Sequence, residues 1–172
     1  MTPKEIEQFI KKAITPKGST WADLGAGNGK ITNIVRLLLG NEGKVFAVDT
    51  SPAIKNLSPD ETIASVVSIQ QDFTLPLDLP MLDGILMANS LHFVKDKKTF
   101  LQQLISKLNT NGKMVFIEYD MTIGNSWVPY PITFQELKKL TVEIGLTEVE
   151  EINRRQSTYG NGRMYLAIAY RK

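Results

Sequence analysis

Ten residues constrain this chain more than any others. Trp21-Ala22-Asp23-Leu24-Gly25-Ala26-Gly27-Asn28-Gly29-Lys30 runs from an acid-tipped apolar strand through three alternating glycines toward a helix. Glycine has no Cβ, so it takes positive φ at little cost and lets a ligand lie against bare backbone. The helix that follows offers free N–H groups and a partial positive charge to a carboxylate or phosphate. Such a turn is built to hold a nucleoside.

The acids around the turn narrow the ligand. A dinucleotide fingerprint reads Gly-x-Gly-x-x-Gly, whereas here the third glycine is Gly29 and Lys30 stands where that pattern wants glycine. A carboxylate at Asp23, two residues before the first glycine, repels a pyrophosphate and suits a ligand that carries an ammonium group. S-adenosylmethionine has an ammonium, a sulfonium and a carboxylate but no phosphate.

The downstream residues suit that ligand in order. Lys44 to Asp49 is an apolar run ending in an acid, placed about 20 residues past the turn to accept both ribose hydroxyls, although this acid suits NAD equally well. Ser65 to Phe73 reads as a third strand, whose Asp72 is placed to accept from the adenine amino group, with Phe73 and Ile54 supplying apolar surface for the ring. Each acid also has a plainer use: Asp23 can fix the glycine turn, and Asp72 can cap a helix. Over nearly all its length the chain resembles the class I, Rossmann-like S-adenosylmethionine-dependent methyltransferases, and within them the small-molecule type. The resemblance implies that Gly25, Gly27 and Gly29 hold the methionyl portion, Asp49 the ribose and Asp72 the adenine. The full cofactor-binding set expected is Asp23, Gly25, Ala26, Gly27, Asn28, Gly29, Asp49, Thr50, Ile54, Asp72, Phe73 and Asn89.

Composition excludes several other chemistries. No cysteine is present, which rules out disulfides, thiolate-bound zinc and thiol nucleophiles, and the single histidine makes a histidine-based metal site improbable. Twenty basic against eighteen acidic residues is too balanced for a surface dominated by phosphate contacts, so a nucleic-acid partner is disfavoured. Lys95, Lys97 and Lys98 read as a solvated helix start. No run approaches the roughly 20 apolar residues of a membrane span, and Met1 to Thr15 is charged and amphipathic, so the expected location is the cytoplasm.

Strands and helices alternate along the chain. This predicts an α/β fold, a Rossmann-like doubly wound sheet, mostly parallel and seven-stranded, with a C-terminal antiparallel hairpin. Residues 1–172 are expected to form one methyltransferase domain, in which 1–18 is a short N-terminal helical cap. Thr2-x-x-Glu5 and Thr133-x-x-Glu136 are capping boxes that predict helices over 3–14 and 134–145. Ile31, Ile34, Val35, Leu38 and Leu39 share a helical stripe that Gly40 ends. Leu82 to Asn89 reads as a buried central strand, and Phe100 to Leu108 as an amphipathic helix closed by Asn111-Gly112 before a strand from Lys113 to Tyr119. Gly160-Asn161-Gly162 separates the last two strands, about 147–157 and 163–170.

Ligands in such sheets sit outside the carboxyl ends of the strands. The expected acceptor pocket is therefore Leu91, His92, Glu118, Trp127 and Tyr130. His92 is the candidate general base, because its unperturbed pKa lies near neutrality; a packing or backbone-capping role is the competing reading. Glu118 and Asp120 are pocket polar groups or caps, and Trp127 and Tyr130 an aromatic wall or loop anchors. The predicted activity is methyl transfer from S-adenosylmethionine to a small-molecule acceptor by direct displacement, without metal. A non-catalytic S-adenosylmethionine-binding module and an NAD-dependent oxidoreductase are the alternatives. A second subunit, in a homodimer, is one way to complete so lightly capped a pocket.

Overall fold

The computed structural model describes residues 2–51, 57, 59–157 and 162–172. Strands β1 (Thr20–Leu24), β2 (Lys44–Asp49), β3 (Ser65–Gln70), β4 (Leu82–Ala88), β5 (Leu108–Tyr119), β6 (Thr147–Gln156) and β7 (Arg163–Tyr170) alternate with helices α1 (Pro3–Ile10), α2 (Lys30–Leu39), α3 (Lys97–Ile105) and α4 (Phe134–Glu143). The strands form one sheet in the order β3-β2-β1-β4-β5-β7-β6. The first five are parallel, and β7 enters antiparallel between β5 and β6. This is the Rossmann-like, mostly parallel fold with an antiparallel close that the sequence predicts.

Side-chain alternation sends successive residues of the inner strands to opposite faces. Trp21, Leu86, Val115, Ile117, Leu166 and Ile168 meet Ile6, Phe9 and Ile10 of α1 and Ile34, Val35 and Leu39 of α2 on one face. Ala22, Ile85, Met87, Met114, Phe116 and Tyr165 meet Phe100, Leu101 and Leu104 of α3 and Phe134 and Leu137 of α4 on the other. The N-terminal helix expected as a cap is therefore a full member of a core layer.

Local chemistry sets most helix ends. Both capping boxes are formed, Thr2 with Glu5 and Thr133 with Glu136. Asp96 opens α3 by accepting from Thr99 N–H at 3.1 Å, four residues ahead of the apolar stripe that predicts this helix. Helix α1 closes at Ile10, short of the expected residue 14, yet Ala13 and Ile14 stay buried in the same layer. Strand β5 starts at Leu108, five residues earlier than predicted. Asn111 N–H donates to Arg171 O and Arg171 N–H to Gly112 O, so a segment with the composition of a turn is paired into the sheet. The β3 to β4 connection, residues 71–81, carries no helix. Of the predicted final turn, Gly160 and Asn161 lie outside the described residues.

Candidate cofactor and acceptor site

The sheet reverses its direction of growth at β1, which has β2 on one side and β4 on the other. That switch point is where doubly wound sheets open a crevice. The glycine turn lies at its rim. Gly25, Gly27 and Gly29 all have positive φ, at 82°, 56° and 81°. Gly27 and Asn28 are exposed, Ala26 and Gly29 buried, and a Cβ on Gly27 would meet nothing within 4 Å. A Cβ on Gly25, by contrast, would lie 2.5 Å from Ser90 Cβ, so the turn is pressed against the end of β4. Ser90 Oγ fixes that approach by donating to Leu24 O at 2.6 Å.

Asp49 closes the other side of the turn. Its Oδ2 accepts from Gly27 N–H at 2.8 Å and its Oδ1 from Ser51 N–H at 2.9 Å. Partial burial pushes the carboxyl upward, but the Ser51 and Gly27 N–H groups outweigh it and hold the group below the usual carboxylate range. Asp49 is thus an anion at neutral pH, set at the rim of the turn beside the exposed Thr50.

Asp23 is enclosed at the junction of β1 and α2. It is 1% exposed, and Thr32 Oγ1, in the first turn of α2, donates to its Oδ2 at 2.6 Å. Burial raises its pKa to about 6, against the lowering effect of the Thr32 bond and with the Asp49 charge adding to the rise. Through that bond the side chain ties β1 to α2. Asn89 presents the better candidate acceptor. It sits at the end of β4 with φ of 56°, and its Oδ1 is the one buried side-chain polar atom without a hydrogen-bond partner among the described residues. A lone acceptor of that kind costs free energy unless something donates to it.

Beyond β3, Asp72 is exposed and caps its own turn, its Oδ1 accepting from Thr74 N–H at 2.8 Å and Thr74 Oγ1 at 2.7 Å. Phe73 sets its ring edge-on to Phe100, centroids 6.0 Å apart, with Cε1 3.4 Å from the Gly25 Cβ position. Phe73 therefore joins the β3 end to the glycine turn. Ile54, the other expected apolar contact, lies outside the described residues. Thr74, Phe93, Val94, Lys95 and Phe100 line part of an adjoining cleft of about 320 Å³.

On the acceptor side the structure brings together two residues that the sequence separates by 26 positions. His92 follows β4 in the short 3-10 turn Leu91–Phe93, and Glu118 is near the end of β5. Glu118 Oε2 lies 2.7 Å from His92 Nδ1, and Oε1 accepts from His92 N–H at 3.2 Å. Both side chains are almost wholly enclosed, at 2% and 1% exposure. Leu91 is fully buried beneath them. Tyr130 N–H donates to His92 O at 3.0 Å, and Lys97 Nζ donates to Tyr130 O at 2.7 Å and Val94 O at 2.8 Å, which ties the 121–131 loop to the pair. Burial holds the Lys97 ammonium below its usual pKa, with Glu118 and Glu136 opposing the shift.

Trp127 stands apart from this cluster. It is 82% exposed, on a turn built by Asn125 Oδ1, which accepts from Trp127 N–H and Val128 N–H at 2.8 and 2.9 Å. Asp120 is drawn away from the pocket: it accepts from Phe134 N–H at the start of α4 and pairs with Arg154 of β6. Thr32 and Ser90 are residues of this region that sequence reasoning does not single out, and Lys97, read there as part of a solvated helix start, is half-buried and bonded to Val94 O and Tyr130 O. Ser90 had a legible signal, a small hydroxyl residue between a buried strand and His92, whereas Thr32 and Lys97 act through contacts that no local pattern announces.

Residues 22–116, more than half of the chain, match the family described as Methyltransferase domain, and the chain belongs to that family. An uncharacterized methyltransferase of Bacillus velezensis is 27% identical over 118 residues, covering 67% of this chain and 54% of the relative. A ubiquinone/menaquinone biosynthesis C-methyltransferase, UbiE, of Xylella fastidiosa is 25% identical over 142 residues, covering 77% and 55%. The chain thus spans about half the length of the curated relatives it matches. Among solved structures, the YcgJ protein from Bacillus subtilis superposes with a TM-score of 0.77 at 10% identity, covering 98% of this chain and 99% of that one. The 1,6-didemethyltoxoflavin-N1-methyltransferase of Burkholderia thailandensis, solved with 1,6-didemethyltoxoflavin and S-adenosylhomocysteine, gives 0.75 at 17% identity, covering 99% and 78%. At these identities the two structures establish a shared fold.

Proposed function

We propose that the chain transfers a methyl group from S-adenosylmethionine to a small-molecule acceptor. The observation that carries this reading is the crevice at β1: an open glycine turn, an ionised Asp49 fastened across it, and the partnerless Oδ1 of Asn89 on the facing strand end. These groups match the charges of the ligand. Turn N–H groups and the α2 N-terminus suit its carboxylate, Asn89 Oδ1 its ammonium, the remaining lone pairs of Asp49 its ribose hydroxyls, and Phe73 the edge of its adenine. Asp72 keeps one carboxylate oxygen, Oδ2, for the adenine amino group.

When bound, the cofactor supplies an electrophilic methyl group on sulfur. The chain's share of the work is to hold the acceptor in line with that methyl and to keep water out, which in well-oriented systems is worth about 7–11 kcal/mol. The acceptor would lie against His92, held by Glu118, and against Tyr130. The named relatives include a C-methyltransferase and the named structures an N-methyltransferase, so the atom methylated is not carried over from them. Incubating the protein with tritiated S-adenosylmethionine and a panel of phenols, hydroquinones, aryl amines and thiols tests the reading. Label in an organic product is the expected result; failure of the protein to bind S-adenosylhomocysteine contradicts it.

A further inference from the structure

We infer that Glu118 is a positioning residue that fixes His92 with its proton on Nδ1, so that Nε2 takes a proton from an acceptor that is a weak acid, a phenol or enol. The inference rests on the methyl transfer proposed above and names the class of acceptor for that same site.

The geometry begins with both oxygens of Glu118. One meets the backbone N–H of His92 and the other its ring Nδ1, so the carboxylate grips the backbone and the imidazole of one residue together. A carboxylate accepts and cannot donate, so the nitrogen 2.7 Å away carries a proton, and the tautomer this bond selects has its lone pair at Nε2. Among the described residues Nε2 has no hydrogen-bond partner, and it is not one of the sealed, partnerless polar atoms, a class that there contains Asn89 Oδ1 alone. The Phe93 ring at 4.4 Å and the Tyr119 ring at 6.0 Å limit tilting, and the bond from Tyr130 N–H holds the backbone. The other titratable or charged groups around the pair are Lys97 on α3, Tyr119, Tyr130, and Tyr165, which faces Glu118 across β7.

A base of this kind selects the acceptor. A neutral aryl amine attacks through its own nitrogen lone pair and gains little from Nε2, whereas a phenol or enol becomes a competent nucleophile only as its proton leaves. In the step, the acceptor O–H proton passes to Nε2 and the oxygen lone pair forms the bond to the methyl carbon. The carbon–sulfur bond breaks with its electron pair kept by the thioether product. The imidazolium, paired with Glu118, returns its proton to solvent.

The single histidine makes the test direct, because labelling it with nitrogen-15 gives one pair of ring signals. With S-adenosylhomocysteine bound at neutral pH, the expected spectrum is protonated Nδ1 and bare Nε2. In Glu118→Gln the amide has only one oxygen for two N–H groups, so the Nε2–H form is expected to gain population. With catechol and 1,4-dihydroxynaphthalene as acceptors, Glu118→Gln and His92→Gln should lower kcat about 100-fold. S-adenosylhomocysteine affinity and the melting temperature should stay near wild type, Glu118→Asp should recover part of the rate, and the rising limb of the kcat–pH profile should vanish in His92→Gln. An Nε2–H ring in the wild type, equal turnover in Glu118→Gln, or methylation of dithiothreitol but of neither phenol overturns the inference. So does cofactor binding with no turnover of either phenol. Loss of S-adenosylhomocysteine binding in the wild type would instead overturn the methyltransferase reading itself.

Discussion

At the residue scale, Asp49 and Asp23 show how one residue type is driven to opposite uses by its surroundings. Asp49 is held ionised by two backbone N–H groups at the mouth of the crevice. Replacing it with alanine removes acceptors for charge-assisted bonds to the ribose and is expected to weaken S-adenosylhomocysteine binding by about 1.5–3 kcal/mol, roughly 10- to 150-fold. Calorimetry on Asp49→Ala checks this, and an unchanged affinity would remove the ribose assignment. Asp23 is pushed the other way. Its folded pKa of about 6 lies above the ordinary 3.8, so the folded state binds the proton more tightly than the unfolded state does. The wild type therefore loses stability from this group as pH rises from about 4 to 6, on the order of 1–3 kcal/mol. Asn at this position keeps an acceptor for Thr32 and carries no charge. The stability difference between Asp23→Asn and wild type should shift in favour of the variant between pH 4 and 7 in urea titrations; a difference independent of pH would contradict the buried placement. Sequence reading assigned Asp49 to the ribose and left Asp23 open between a ligand ammonium and fixing the glycine turn. The Thr32 hydroxyl that claims Asp23 is nine residues away and belongs to a helix already assigned to the core.

At the element scale, legibility followed the range of the cause. Caps and staples act over three to five residues, and Thr2, Glu5, Thr133 and Glu136 do what their spacing predicts. Ile132 and Leu137 are buried in the same cluster, as a staple requires. The early start of β5 depends instead on Arg171, some sixty residues on, whose backbone groups complete the ladder across Asn111 and Gly112. The His92 and Glu118 pair is of the same kind: each residue was legible alone, and their contact follows from β4 and β5 being neighbours. One element-scale contact gives a stability test. In β4, a Cβ at Gly84 would fall on the fully buried indole of Trp21 in β1. Gly84→Ala is expected to cost about 1–3 kcal/mol of stability by overpacking, measured by urea unfolding. A neutral effect would mean that β1 and β4 pack less closely than described.

At the scale of the whole molecule, the sheet order brings the glycine turn and the ends of β2 and β4 to one edge. Because β1 lies between β2 and β4, the glycine turn, Asp49 and Asn89 converge from three strands that are separate in sequence. Because β7 runs antiparallel beside β5, Tyr165 comes to face Glu118 across the two strands and the sheet closes with β6. The fold was legible because the alternation of apolar runs, glycine turns and caps repeats along the chain. The acceptor was not, because the residues proposed to meet it come from the ends of β4 and β5 and from a loop whose shape is set by Asn125 and Tyr130. Among the described residues no helix is long and apolar enough to cross a membrane, and no cluster of His, Asp or Glu could hold a metal ion.

The central claim is that the crevice at β1 holds the nucleoside of S-adenosylmethionine. Calorimetric titration of the purified protein with S-adenosylhomocysteine, with NAD as the parallel ligand, tests it most directly. Binding of the first near micromolar Kd, with none of the second, is the predicted result. Binding of NAD alone would contradict the account and return the glycine turn to the dinucleotide class.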